Sequence, residues 1–227
     1  MSVLGNIAFQ ALSMTVLGAF CWMVYTYRGQ VVRCLKSTVA FSRATNPRPG
    51  AVAVYENFLA TALSLGAIST GLAAVKGIVW LAETGAIVSV TTEALPVWVA
   101  PVAAGGVAMT AAVVVMMEMG ILKAVGKLTF SQKFTDEIVT VKKNWMAAAS
   151  ILTVPLVAMW TGVNPERDII LAYMIAGMII TLFILFATHT LRGFIRQKIS
   201  LLVWFLYLCA VEIFPVCAVV IAVARNL

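Results

Sequence analysis

Six apolar runs, at 3–27, 57–75, 97–117, 145–163, 169–191 and 199–224, leave this chain little choice of fold. Each approaches or exceeds the roughly 20 residues a helix needs to cross a hydrocarbon core about 30 Å thick. Inside such a core every backbone N–H and C=O must be paired within the protein, which only helices and closed barrels achieve. Long apolar runs point to helices. The fold class read from the sequence is therefore all-α: a polytopic membrane protein built as a six-helix transmembrane bundle, one integral domain over residues 1–227. With 62% hydrophobic and 11% charged residues and a mean hydropathy of +1.01, the chain lies well outside soluble usage. The first run lacks a basic leading segment and a small-residue cleavage site, so it reads as a retained helix and not as a secretory signal.

Charge then sets the expected orientation. Of the 16 Lys and Arg, 13 follow the first, third and fifth runs, leaving only Lys76, Arg167 and Arg225 elsewhere. Cations in short loops favour the cytoplasmic side. The expectation is a bacterial inner (cytoplasmic) membrane protein with both termini periplasmic. The same distribution argues against nucleic acid as a partner, because the cations lie beside the membrane and form no separate basic domain. The lipid bilayer is the expected surrounding. A membrane protein partner or a homo-oligomer is the further expectation.

Small residues recur every fourth position at Ala62, Gly66, Thr70 and Ala74, and again at Ala100, Ala104, Ala108 and Ala112. Such rows let helix backbones approach closely. After the first run, Val31, Val32, Leu35 and Val39 repeat at helical spacing between Arg28, Arg33 and Lys36. They suggest an extension of the first helix or an interfacial amphipathic segment, ended by Asn46-Pro47-Arg48-Pro49-Gly50.

The candidate functional or packing site lies in the last run, where Glu212 is the only charge between Ile199 and Ala224. A carboxylate at the membrane centre costs roughly 2.5–3.5 kcal/mol on insertion scales, so it tends to be shielded, paired or protonated. Pro215, three residues on, bends the helix beside it. Cys209 shares the face of Glu212, whereas Tyr207 points away. A packing role, proton or cation handling, and direct catalysis are the alternatives for Glu212. Secondary candidates are His189, Arg192 and Glu118. The single histidine suits a helix end. Glu118 is expected to reach headgroups or nearby Lys123, and Lys76 to snorkel toward the opposite interface. Cys21, Cys34, Cys209 and Cys217 show no paired spacing and read as packed reduced thiols. No metal, cofactor or catalytic residue is assigned, and no nucleotide-binding or hydrolase motif occurs.

The pattern Tyr-Leu-Cys-x-x-Glu-Ile-x-Pro, met by Tyr207, Leu208, Cys209, Glu212, Ile213 and Pro215, has company in Leu191-Arg192-Gly193-Phe194 and the basic loop after the first run. Together they resemble an uncharacterised multi-pass inner-membrane family of Bacteroidota, domain of unknown function 4271. The resemblance implies a source and a compartment but no activity. The leading functional expectation is a non-enzymatic accessory or scaffold subunit of a cell-envelope complex. A small transporter or ion-coupled protein using Glu212 at a kinked helix comes second, and a membrane-embedded lipid-modifying enzyme third.

Overall fold

In the computed structural model, residues 7–40, 49–83, 99–128, 132–162, 168–196 and 200–209 are described. They form seven helices: α1 (Ile7–Thr26), α2 (Arg28–Ala40), α3 (Pro49–Glu83), α4 (Val99–Leu128), α5 (Gln132–Gly162), α6 (Asp168–Arg196) and α7 (Leu201–Tyr207). Five of them, α1, α3, α4, α5 and α6, are long and apolar enough to cross a membrane. The sixth expected span, 199–224, is described only as far as Cys209: Ser200 caps α7 by accepting from the Leu202 N–H, and the helix widens into a π turn at Leu208 and Cys209.

The helices overrun the apolar runs that announce them. α3 extends beyond 57–75 at both ends, α4 runs on past 117 to Leu128, and α5 starts at Gln132 instead of near 145. An α-helix rises about 1.5 Å per residue, so helices of 30 and 31 residues exceed one hydrocarbon thickness by about half again. Charged ends therefore remain helical outside the core or in its boundary. The segment after α1 is also helical: the Tyr27 carbonyl accepts from the N–H of Gln30 and Val31, so α2 continues α1 with only a one-residue break. Its buried stripe is Val31, Cys34 and Thr38, with Val32 outward.

At the centre, α3 and α5 run parallel, side by side. Tyr55 meets Asn144, Gly66 meets Ser150, and Lys76 meets Trp160, so the offset between the two chains stays nearly constant. α1 and α2 run antiparallel to α5, with Ser13 against Thr161 at one end and Cys34 against Asn144 at the other. α4 leans on α3, and α6 on α5. The spans in α3 and α5 are 44% and 56% buried, against 17% for α4 and 11% for α6. The bundle thus has a packed two-helix centre and two lightly held flanks.

Small residues permit that centre. Ala62, Ala147 and Ala148 are fully buried, and a Cβ on Gly66 would collide with Ser150 Oγ. The row on α4 is packed at Ala100, Ala104 and Ala108. The row on α3 does not stay inside, since Thr70 is exposed and its hydroxyl returns to the Gly66 carbonyl. Steps of four residues advance a helix face by about 40° each at 100° per residue. Gly71, not Thr70, therefore makes the close approach to α4.

Candidate functional site

Within one turn of α5, the side chains of Lys142, Asn144 and Trp145 reach α4, α3 and α6, and the Asn144 backbone carbonyl reaches α2. Successive residues on a helix are about 100° apart, so Lys142, Asn144 and Trp145 fan out in three directions. Lys142 Nζ lies 2.6 Å from Glu118 Oε2 on α4, with side chains only 4% and 13% exposed. The Asn144 Oδ1 accepts from the Tyr55 hydroxyl of α3 at 2.9 Å, and its backbone carbonyl accepts from the Cys34 thiol of α2 at 3.4 Å. Trp145 sets its ring against Phe186 and His189 of α6, both at 6.2 Å between centroids.

The depth of this layer follows from helix length. Glu118 lies nineteen residues beyond Val99 and Lys142 twenty before Gly162, about 30 Å along each helix. That is one hydrocarbon thickness. The ion pair lies that far from the Val99 end of α4 and the Gly162 end of α5. Pairing is what makes its burial tolerable: an isolated ammonium or carboxylate withdrawn from water loses far more than it gains.

Cys34 is a sealed donor in this layer. Burial pushes its thiol up to about 11, and the neighbouring Tyr55 hydroxyl offsets only part of that. Thiolate chemistry needs the opposite environment. The carbonyl of Cys34 in turn accepts from Ser37 and Thr38, so the residue is tied on both sides.

A second polar layer lies near the Gly162 end of α5. Lys76 is 1% exposed, with its ammonium 5.7 Å from the centroid of the Trp160 ring. The expected snorkelling position is therefore corrected: the ammonium lies inside the bundle, where a cation over an indole face is attracted by the ring quadrupole. Ser13 and Thr161 share a hydrogen bond alongside, and Thr161 also donates to the Ala158 carbonyl. Among the described residues, the Trp160 indole N–H and the Gln30 Oε1 are buried without a hydrogen-bond partner.

The residues singled out from the sequence are scattered by the fold. Glu118 pairs with Lys142, which enters the same layer from the neighbouring helix, while Lys123 is exposed. His189 is half-buried beside Trp145, and Arg192 is exposed. Tyr207 is half-buried with its ring 5.8 Å from Phe194, and Cys209 is half-buried in the π turn. Glu212 and Pro215 lie outside the described residues. Sequence reading missed Lys142, Asn144 and Tyr55; of the thiols expected to be packed, Cys34 is buried and Cys21 exposed. One signal was present: Thr135, Val139 and Lys142 fall at helical spacing on one buried stripe of α5. No group of three or more His, Cys, Asp or Glu suited to a metal occurs among the described residues.

A family model described as Domain of unknown function (DUF4271) matches residues 54–223. The chain belongs to this family. The DUF4271 match takes in Tyr55, Lys76, Glu118, Lys142, Asn144 and Trp160, so both polar layers of α3, α4 and α5 fall within it. Cys34 and Ser13, the contributions of α2 and α1, precede it. No curated protein and no solved structure matches the chain.

Proposed function

We propose that this DUF4271 protein is a non-enzymatic accessory or scaffold subunit of a cell-envelope complex in a bacterial inner membrane, with both termini periplasmic. The observation that carries the reading is the contrast between a centre locked by paired polar groups and two flanking helices left open. On α4 the outward surface includes Ala103, Gly105 and Gly106, and a Cβ on either glycine would meet nothing within 4 Å. Such a surface lets another membrane helix approach closely. The cation sorting supports the orientation, and the family resemblance supports a bacteroidotal source. Purification in mild detergent with identification of co-purifying membrane proteins tests the reading. A stoichiometric partner lost in Gly106→Leu, with the fold intact, is the expected result. Purification alone at every detergent concentration overturns it.

The second reading, an ion-coupled membrane protein, gains support from the buried Lys142–Glu118 pair, since charges inside a span commonly mark ion pathways. Under that reading Glu118→Gln keeps the helices together and abolishes proton or solute movement in liposomes.

A further inference from the structure

We infer that the outward face of α2 is a docking surface, outside the bilayer, for an acidic helical segment of a partner protein. Helix α2 buries Val31, Cys34 and Thr38 against the bundle and turns Arg28, Val32, Arg33 and Lys36 outward. Arg28, Val32 and Lys36, four residues apart, form one row with Arg33 along its edge. Val32, 50% exposed, therefore stands between cations one turn away on either side. Among the described residues, the side chains of Arg28, Arg33 and Lys36 enter no hydrogen bond or ion pair. Glu56 of α3 and Asp136 and Glu137 of α5 are exposed, and none of them pairs with this row. No acid precedes Glu56 in the sequence, so the charge of this row has no compensation within its own stretch of chain.

Length selects a protein over the membrane surface as the occupant. Helices α1 and α2, 20 and 13 residues long, follow α5 together, from Ser13 against Thr161 to Cys34 against Asn144. Laid end to end they reach about 50 Å, and still about 47 Å at a tilt of about 20°. A bilayer with its headgroups measures about 40–45 Å. The α1 helix carries no charge and by itself matches one hydrocarbon thickness, so the end that leaves the bilayer is the α2 end. A helix lying flat on headgroups would turn its apolar stripe to lipid, whereas α2 buries that stripe in the bundle and sends the Cys34 thiol to α5. What remains outward, cations around one apolar side chain, is complementary to a helix that carries carboxylates around an apolar contact. Opposite charges at such a contact set register and partner choice.

The test is fluorescence anisotropy on the full chain in phosphatidylcholine nanodiscs, with a labelled peptide that carries glutamates one turn on either side of a leucine and is long enough to form a helix, about 15 residues. Saturable binding is expected, and its absence overturns the docking surface. Arg33→Gln/Lys36→Gln, which keeps Arg28, should weaken binding about fivefold, the effect of two exposed ion pairs. Val32→Ser should weaken it with every charge in place. Lys123→Gln, which removes an exposed cation of α4, should leave it unchanged. Equal losses from Lys123→Gln and Lys36→Gln would reduce the effect to net charge and overturn the assignment to this face. Equal binding of a peptide with the same residues in shuffled order would do the same. If phosphatidylglycerol discs shield Arg33→Cys from a water-soluble maleimide, the face lies on lipid headgroups and the proposal is overturned.

Discussion

A Cβ placed on Gly71 would lie 2.1 Å from the backbone carbonyl oxygen of Ala104 and 3.3 Å from the Cβ of Ala108, so α3 meets the main chain of α4 directly at this point. Backbone cannot rotate away as the tip of a side chain can. Gly71→Ala should therefore force the two helices apart, at about 1–3 kcal/mol of overpacking. Gly105→Ala is the contrast, because nothing lies within 4 Å of its Cβ and replacing glycine within a helix gains up to about 1 kcal/mol. Thermal unfolding in one detergent checks both, and equal behaviour of the two variants would contradict the close approach.

Removing one partner of the Lys142–Glu118 pair should cost more than removing both. Lys142→Met takes the ammonium away from a carboxylate only 13% exposed, and losses of about 3–5 kcal/mol are typical of such changes. The double variant Lys142→Met/Glu118→Leu replaces both charges by apolar groups and should recover most of the loss. A double-mutant cycle on detergent stability reads the coupling, and strict additivity would mean that the pair carries no interaction.

Asn144 joins α2 and α3 to α5 through different atoms. Tyr55→Phe deletes only the hydroxyl that donates to its Oδ1, at about 1 kcal/mol for a neutral hydrogen bond. Asn144→Leu removes the acceptor and strands a half-buried hydroxyl, so it should be the more damaging substitution. The order of unfolding temperatures, wild type above Tyr55→Phe above Asn144→Leu, is the check.

Cys34 gives a pH dependence with a defined sign. Its thiol is moved from an ordinary value of 9.0 to about 11 by burial, so between those values the folded chain holds a proton that the unfolded chain has released. Its contribution to stability is complete below about pH 9 and is lost as pH rises toward 11. Cys34→Ala should flatten the alkaline limb of a stability profile. In the native protein at pH 8, maleimide should spare Cys34 until the chain is unfolded.

The all-helical class and the five described membrane crossings were legible because they rest on local quantities: length of apolar run, absence of charge, and cations gathered beside every second span. The layer at Lys142 was not. Counting cations by side places Lys142 and Lys143 together in a loop, whereas in the fold one turn of helix separates a buried ammonium from the exposed residues before it. Its partner, Glu118, is 24 residues away in sequence, across a hairpin whose geometry no periodicity encodes. Cys34 was expected to be packed, but its partner was not legible for a related reason: α2 is short and only weakly apolar, and the thiol meets α5, a helix more than a hundred residues later. Glu212, the most conspicuous charge in the sequence, lies beyond the described residues.

The parallel pairing of α3 and α5 has a consequence for how the protein is made. Helix α3 is complete at Glu83, yet the neighbour that meets Tyr55, Gly66 and Lys76 is complete only at Gly162. At about 5–20 residues per second, the ribosome needs roughly 4–16 s to supply it. Throughout that interval Lys76 is in the bilayer without the indole of Trp160, and the small-residue face of α3 has only α1 and α4 to occupy it. A nascent chain arrested between Leu128 and Gln132 should accordingly be cleared faster by membrane proteases than one arrested beyond Asp168. Quality control of this protein is thus decided late, at the arrival of its fifth helix, and any factor that holds α3 until then acts on synthesis and leaves no trace in the finished bundle.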